Sequence, residues 1–249
     1  FPWSRLNQYR GGVKLHTLLN LKGNIPDFIR ISGGTVSDYF GMDSLVLEPG
    51  AFYVLDRGYY SFVRLFLINK APAFFVIRAM RKFNGRIIKA HPIEYGMGVL
   101  ADHTVVFKTK LQLQKYPEPM RRIKYFDQTT GKVFVFLTNS FDLSAKTVAD
   151  IYKARWQIEL FFKWIKQHLR IKNFFGTSEN AVKTQIWIAV ATYVLVAILK
   201  KQYQLEHSLY KILQVLSVTL FEKVPVDQLL RDLDKYPDEE DFSNQLKLL

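Results

Sequence analysis

Cysteine is absent from the 249-residue chain. That excludes a disulfide framework, a thiol nucleophile and thiolate-held zinc or iron–sulfur centres. No secretory leader is expected either. The chain opens Phe1-Pro2-Trp3-Ser4-Arg5 without an initiator methionine, a basic-then-apolar layout or a small-residue cleavage site. It therefore reads as a piece of a longer reading frame. No apolar run reaches the roughly 20 residues needed to cross a bilayer. The longest, Ile186 to Leu199, has 14 and reads as a buried core helix. There is no internal repeat and no low-complexity tract. A Gly-rich phosphate loop ending in Lys-Ser or Lys-Thr is also lacking, so ATP is not implied. The five histidines (His16, His91, His103, His168 and His207) show no metal-ligand spacing.

Acidic residues are in short supply: 22 Asp and Glu face 35 Lys and Arg, a formal charge of +13 with a pI near 9.7. A polyanionic partner follows, with nucleic acid first and an acidic membrane surface second. The excess is uneven. Residues 227–241 hold seven acids against two bases, whereas 146–172 hold seven Lys and Arg against Asp150 and Glu159. Aromatics are plentiful, and 20 Phe, 13 Tyr and 4 Trp need a packed interior, which excludes disorder.

Alternating apolar residues at 13–21 and 25–31, joined by Lys22-Gly23-Asn24, predict a hairpin. A short helix capped by Ser37 or Asp38 should run to about Leu47. The continuous apolar runs 51–55 and 73–78 have the look of strands buried on both faces, with a helix at 61–69 between them. This alternation predicts a mixed α/β sheet. From about Ala79 to Ser140 the chain is strand-like and turn-rich, with strands at 104–109, 121–127 and 133–138. Within it, 81–89 (RKFNGRIIK) carries a run of cations without an acid, fitting a solvated edge or a DNA-backbone track equally. Helices follow at 145–170, 178–204, 208–221 and 225–234.

Two carboxylates stand out. Asp56 ends the apolar run 51–55, and carboxylates at the carboxyl end of a sheet strand point into the crevice where α/β proteins bind ligands. The plainer reading is a turn former or a cap for the helix at 61–69. Glu159 sits in a helical pattern with about 100° per residue. Tyr152, Arg155, Lys163, Lys166 and Arg170 then share its face, and Ile158, Phe161, Trp164 and Ile165 take the other. Such a stripe is either a solvated face with i,i+4 ion pairs or a metal-ligating carboxylate among phosphate-binding cations, an arrangement suited to phosphoryl transfer. The residues alone leave both open.

The spacing Tyr152-x2-Arg155-x3-Glu159-x6-Lys166 resembles the signature of the insertion-sequence-four family of bacterial DDE transposases. YVLDRGY around Asp56 resembles that family's second catalytic Asp block. GGVKLHTLLNLKGNIPDFI resembles its early strand pair, and FKWIKQHLRIKNFFGTSENAVKTQIWIAV resembles the stretch after its Glu. The resemblance covers essentially the whole chain. It implies a ribonuclease-H-like core at 1–78, a β-rich insertion at 79–143, the catalytic-Glu helix and its successor at 144–205 and a helical extension at 206–249. It also implies two of three catalytic carboxylates, Asp56 and Glu159, holding two Mg²⁺ or Mn²⁺ ions. Those ions would activate water, and then a freed 3′-hydroxyl, for attack on DNA phosphodiesters. Tyr152, Arg155, Lys163, Lys166 and Arg170 would contact DNA, with Trp156 a stacking platform for an unpaired base or a packing residue. The implied partners are transposon-end and target DNA and a second copy of the chain, in the bacterial cytoplasm.

In that family the first Asp lies on a strand upstream of the Phe-Pro-Trp that opens this chain. Asp27, Asp38 and Asp43 are the nearby substitutes, and none is expected on a comparable strand. The expectation is a truncated transposase incompetent for cleavage. The alternative is a non-catalytic DNA-binding remnant, and a membrane-surface protein ranks third because no basic amphipathic helix shows a clear exposed apolar face.

Overall fold

The computed structural model describes residues 3–4, 11–81, 83–94, 96–169, 171, 173–219 and 221–231. It forms two compact units, one of residues 1–18 with 27–160 and one of 19–26 with 161–249.

The hairpin expected near the start is present as β1 (Val13–Asn20) and β2 (Ile25–Gly33), a separate two-stranded sheet. Its turn places Asn24 at φ 52°, a left-handed position that Asn tolerates better than most residues. The short helix that follows is a 3-10 helix over Asp38–Ser44, shorter than expected, and Ser37 does not cap it through its side chain.

The first unit is built on a six-stranded mixed sheet. Its strands are β3 (Phe52–Leu55), β4 (Phe74–Arg78), β5 (Gly85–Ala90), β6 (Val99–Phe107), β7 (Met120–Asp127) and β8 (Lys132–Thr138), in spatial order β3-β4-β8-β7-β6-β5. β3 and β4 run parallel, linked by α1 (Phe62–Lys70), and the other pairs are antiparallel. The strand-rich stretch thus continues the sheet that β3 and β4 begin. It also contains a one-turn-and-a-half helix, α2 (Lys110–Lys115), that no periodicity announced.

Strand alternation divides the core. Phe75 and Ile77 of β4, with Val105, Phe107, Met120 and Leu137, pack with Leu65 and Ile68 of α1. Val76, between them, points the other way and joins Ile123, Tyr125 and Phe136 against Val148, Ala149 and Tyr152 of α3 (Ala145–Lys153). β4 is therefore buried on both faces, as its unbroken apolar run implied.

The two sheet edges are unlike. β5 is exposed along its length, carries Arg86 and Lys89 and has a register shift between Ile87 and Lys89. Charge and bulge are common means of discouraging further strand pairing. β3 has neither, and among the described residues no strand lies beyond it.

The helix expected over 145–170 is broken. α3 ends at Lys153 and α4 runs Trp156–His168. Across the junction the amides of Arg155, Gln157 and Ile158 bond to carbonyls three residues back, those of Tyr152, Ala154 and Arg155. The chain tightens there instead of continuing as one α-helix. Tyr152 and Glu159 therefore belong to different helices, and the single stripe read from periodicity does not exist as such.

In the second unit α5 (Glu179–Gln202) is capped by Ser178, whose hydroxyl accepts from the Ala181 amide. It packs on α6 (Leu209–Val218), with Val196 and Ile212 at the centre of that cluster. The Tyr193 ring meets Phe161 and Trp164 at 4.8 and 5.2 Å, and its hydroxyl donates to the Asn24 carbonyl at 2.8 Å. α5 is long and apolar enough to cross a membrane by length and composition alone. It is not wholly buried as expected: Ile186, Val190 and Tyr193 are covered while Trp187, Ile188, Leu195 and Ile198 are exposed. α7 (Val226–Arg231) is the described part of the last helix, and the rest of the acidic stretch lies outside the described residues.

Candidate active site

β3 and β4 pair in parallel with Leu55 beside Ile77, so the next residues, Asp56 just past β3 and Arg78 at the end of β4, come at the carboxyl end of the pair. Asp56 occupies the cap position of a 3-10 turn over Arg57–Tyr59, yet its side chain makes no capping hydrogen bond. The carboxylate is exposed and makes no hydrogen bond or ion pair among the described residues. The turn-former reading accounts for its backbone and leaves its oxygens unused.

Arg78 lies opposite Phe136 of β8, its guanidinium 4.6 Å from the centre of the Phe134 ring. Tyr152 comes from the last turn of α3, buried against Phe136 with ring centres 4.7 Å apart. Just past the break, Arg155 reaches Glu159 at 2.7 Å and sits 5.7 Å from the Tyr152 ring. Arg155 is 22% exposed and Glu159 41%. The pair at i,i+4 exists, then, but only between Arg155 and Glu159; Lys163 makes no ion pair among the described residues.

The electrostatics tie these groups together. Burial lowers the Arg155 pKa, but the hydrogen bond it donates to Glu159 and the charges of Asp56 and Glu159 outweigh it, so the guanidinium is held above its ordinary value. Arg78 is pushed down by burial first and then by Arg57 and Arg155, with Asp56 opposing. Burial raises Tyr152, Asp56 raises it further, and Arg155, Arg78 and Arg57 pull the other way. Tyr59 is raised to about 12 by burial, with Asp38 and Asp56 adding to it. Asp56 and Glu159, with Arg57, Arg78, Arg155 and the phenols of Tyr59 and Tyr152, thus share one end of the sheet. Arg57 donates to the Ala79 carbonyl at 3.2 Å, and the Nε atoms of Arg57 and Arg155 are buried without a partner.

Of the residues singled out from sequence, Asp56, Tyr152, Arg155 and Glu159 come together in the first unit. Trp156, beside them in sequence, is 54% exposed. Lys163 and Lys166 are exposed on the part of α4 that belongs to the second unit, and Arg170 lies outside the described residues. Arg57 and Arg78 were missed. The signal for Arg78 was available: it ends a buried strand as Asp56 does, and parallel neighbours deliver their terminal residues to one crevice.

A magnesium ion takes oxygen ligands, mostly carboxylates and water. Asp56 offers both oxygens, and Glu159 keeps the one that Arg155 does not hold, so this pair fits the role of anchors. The described residues contain no group of three acids or histidines placed to hold a metal. Asp38 is engaged by Lys14 at 3.0 Å, Asp43 by Arg64 at 2.6 Å, and Asp27 lies on β2.

The profile of the transposase DDE domain matches residues 3–195. The chain belongs to the DDE transposase family. A Sinorhizobium fredii protein named as transposase y4zB is 31% identical over 225 residues, covering 89% of this chain and 63% of that protein. A Geobacillus stearothermophilus protein named as the transposase of insertion sequence element IS5377 is 32% identical, covering 78% and 51%. One from Synechocystis, named for element IS4SA, is 26% identical, covering 89% and 63%. The chain thus spans between about half and somewhat under two thirds of these relatives' lengths.

Proposed function

We propose that this chain is the catalytic part of a transposase of the insertion-sequence-four type, cleaving DNA at transposon ends and transferring the strands. The observation that carries this is the convergence of an unengaged Asp56 and a half-open Glu159 on Arg155, within a cation-rich end of a mixed sheet. A parallel β3–β4 pair bordered by antiparallel strands suits a ribonuclease-H-like core to which the stretch 79–143, expected as an insertion, contributes β5 to β8, with 206–249 as an extension.

Asp56 and Glu159 would hold Mg²⁺ or Mn²⁺, which when bound supplies an activated oxygen nucleophile and a charge clamp on the leaving oxygen. The chain's own residues do the rest. Arg155 fixes one oxygen of Glu159 and thereby the direction of the other. Arg57 and Arg78 add positive charge where a scissile phosphate would lie, and the Phe134 ring supports the Arg78 guanidinium. Lys163 and Lys166, with Arg170, extend the charge along the chain, and Trp156 offers an accessible ring for a base.

The third carboxylate is assigned to a strand that pairs with the unguarded edge of β3, beside Asp56. The 249-residue chain then lacks cleavage activity, and Mg²⁺-dependent strand cleavage by it would overturn this. In a version that restores such a strand, Asp56→Ala or Glu159→Ala abolishes strand transfer while DNA affinity persists; activity surviving either change defeats the catalytic assignment. The absence of a three-acid group among the described residues is what favours the second reading, a remnant that binds DNA without cutting it. Pairing of two transposon ends calls for a homodimer, and the setting is the bacterial cytoplasm, on the nucleoid when DNA is bound.

A further inference from the structure

The 3-10 helix over Asp38–Ser44 supplies no residue to the site, yet three other elements of the first unit fasten it. Arg30 of β2 donates to the Phe40 carbonyl at 3.2 Å and to the Ser44 hydroxyl at 2.9 Å. Arg64 of α1 grips both oxygens of Asp43, at 2.6 and 2.7 Å. His16 of β1 lies so close that a Cβ at Gly41 would meet its ring at 2.8 Å. A block held from three sides has little freedom to shift.

Its first residue, Asp38, divides its carboxylate between two neighbours. Oδ1 takes Lys14 Nζ at 3.0 Å, and the same ammonium donates to the Val36 carbonyl at 2.8 Å. Oδ2 lies against Gly58, where a Cβ would meet it at 2.6 Å. Gly58 is the middle residue of the Arg57–Tyr59 turn that Asp56 opens. Any larger residue there would have to displace either the turn or the carboxylate. The charges of Asp38 and Asp56 both act on the Tyr59 phenol, a measure of how near the site Asp38 stands.

Folding stability does not account for this arrangement. Lys14 and Asp38 are 36% and 40% exposed, and ion pairs so open to water contribute little. What the contact does fix is the backbone that carries Asp56. A metal-ligating carboxylate works best when groups behind it hold its direction, and the Asp56 side chain makes no capping bond that would do so. We propose that Asp38, braced by Lys14, is a positioning residue for Asp56, its carboxylate being the stop on which the Gly58 turn rests. The inference rests on the reading of Asp56 as a metal ligand and adds the group that aims it.

The test measures Mn²⁺ binding to the 249-residue chain by isothermal titration, with melting temperatures alongside. Asp38→Ala and Gly58→Ala should each weaken binding by about tenfold, with melting shifted by no more than about 4 °C. The double variant should bind as Asp38→Ala does, because the added methyl then meets nothing. Asp38→Asn keeps the shape of the stop and should keep the affinity within about twofold of the parent. Additive losses in the double variant overturn the proposal, since the two residues then act apart. A loss in Asp38→Asn as large as in Asp38→Ala also overturns it, because Asp38 then acts through its charge or as a ligand. If the parent binds no Mn²⁺, or Asp56→Ala binds it equally, the metal reading itself fails. The Asp56 amide resonance then decides the positioning separately: a shift in Asp38→Ala that is absent from Asp38→Asn supports it, and any other pattern refutes it.

Discussion

Two arginine–carboxylate pairs in the first unit are alike in composition and opposite in character. Arg121 on β7 and Asp102 on β6 are 7% and 3% exposed, joined through Nε at 2.9 Å and through a second bond at 2.5 Å. The remaining nitrogen of Arg121 donates to the carbonyl of Leu143 at 2.5 Å and to that of Ser140, at the approach to α3. That pair is closed, with its hydrogen-bonding capacity spent on fastening one segment to another. Arg155 and Glu159 meet at 2.7 Å, but an oxygen of Glu159 stays accessible and the Nε of Arg155 has no partner. A buried polar group must be satisfied to be tolerated, so an incompletely satisfied pair at the end of a sheet is where ligand chemistry is to be sought.

The strongest way to break the contrast is Arg121→Ala. It leaves the Asp102 carboxylate buried and unpaired and should cost about 3–5 kcal/mol in chemical denaturation. A loss below about 1 kcal/mol would mean that the closed pair does not hold the structure. Next, Asp56→Ala and Glu159→Ala should each weaken Mn²⁺ binding by about tenfold or more in isothermal titration, with folding stability changed by no more than about 0.5 kcal/mol for the half-exposed Glu159. Equal metal affinity in all three proteins would remove the open pair from the site. Replacing Arg155 or Lys166 by Ala should lower the slope of log affinity against log salt by about 1 in DNA titrations; an unchanged slope argues against phosphate contacts.

The smallest effect concerns a pair of intermediate kind. His16, 2% exposed, reaches the Ser32 hydroxyl through Nε2 at 2.8 Å, while its Nδ1 is unpaired. Burial, with help from Lys14 and Arg30 and against Asp38, lowers its pKa below 6.5. The unfolded chain then takes up the proton first. Stability is complete above pH 6.5 and is lost as the pH falls from there through the folded value. Melting temperatures measured between pH 7 and pH 5 should fall less steeply in His16→Gln; identical slopes would show that the ring titrates as if free.

Local patterns made much of this legible. Alternation located β1 and β2, a strand-like pattern broken by turns located β7 and β8, and unbroken apolar runs located β3 and β4, because those signals depend only on neighbours in the chain. Asp56 was visible as the residue that ends a strand. The break between α3 and α4 was not visible, since Lys153-Ala154-Arg155 are good helix formers and contain neither Gly nor Pro. Periodicity consequently grouped Tyr152 with Glu159 on one helix face. The fold does bring both to Arg155, by a turn instead of a shared axis. Arg57 and Arg78 became recognisable only with the parallel β3–β4 register, and the Asp102–Arg121 bond only with the pairing of β6 and β7. Those are contacts between distant parts of the chain, which no window of neighbours contains.

The unequal sheet edges make the six strands a one-ended template. Arg86, Lys89 and the bulge of β5 close one end to growth, while β3 presents four residues without a charge, a proline or a bulge. A strand supplied as a separate peptide would anneal at β3 and not at β5, beside Asp56. That makes the chain a natural acceptor for complementation in trans.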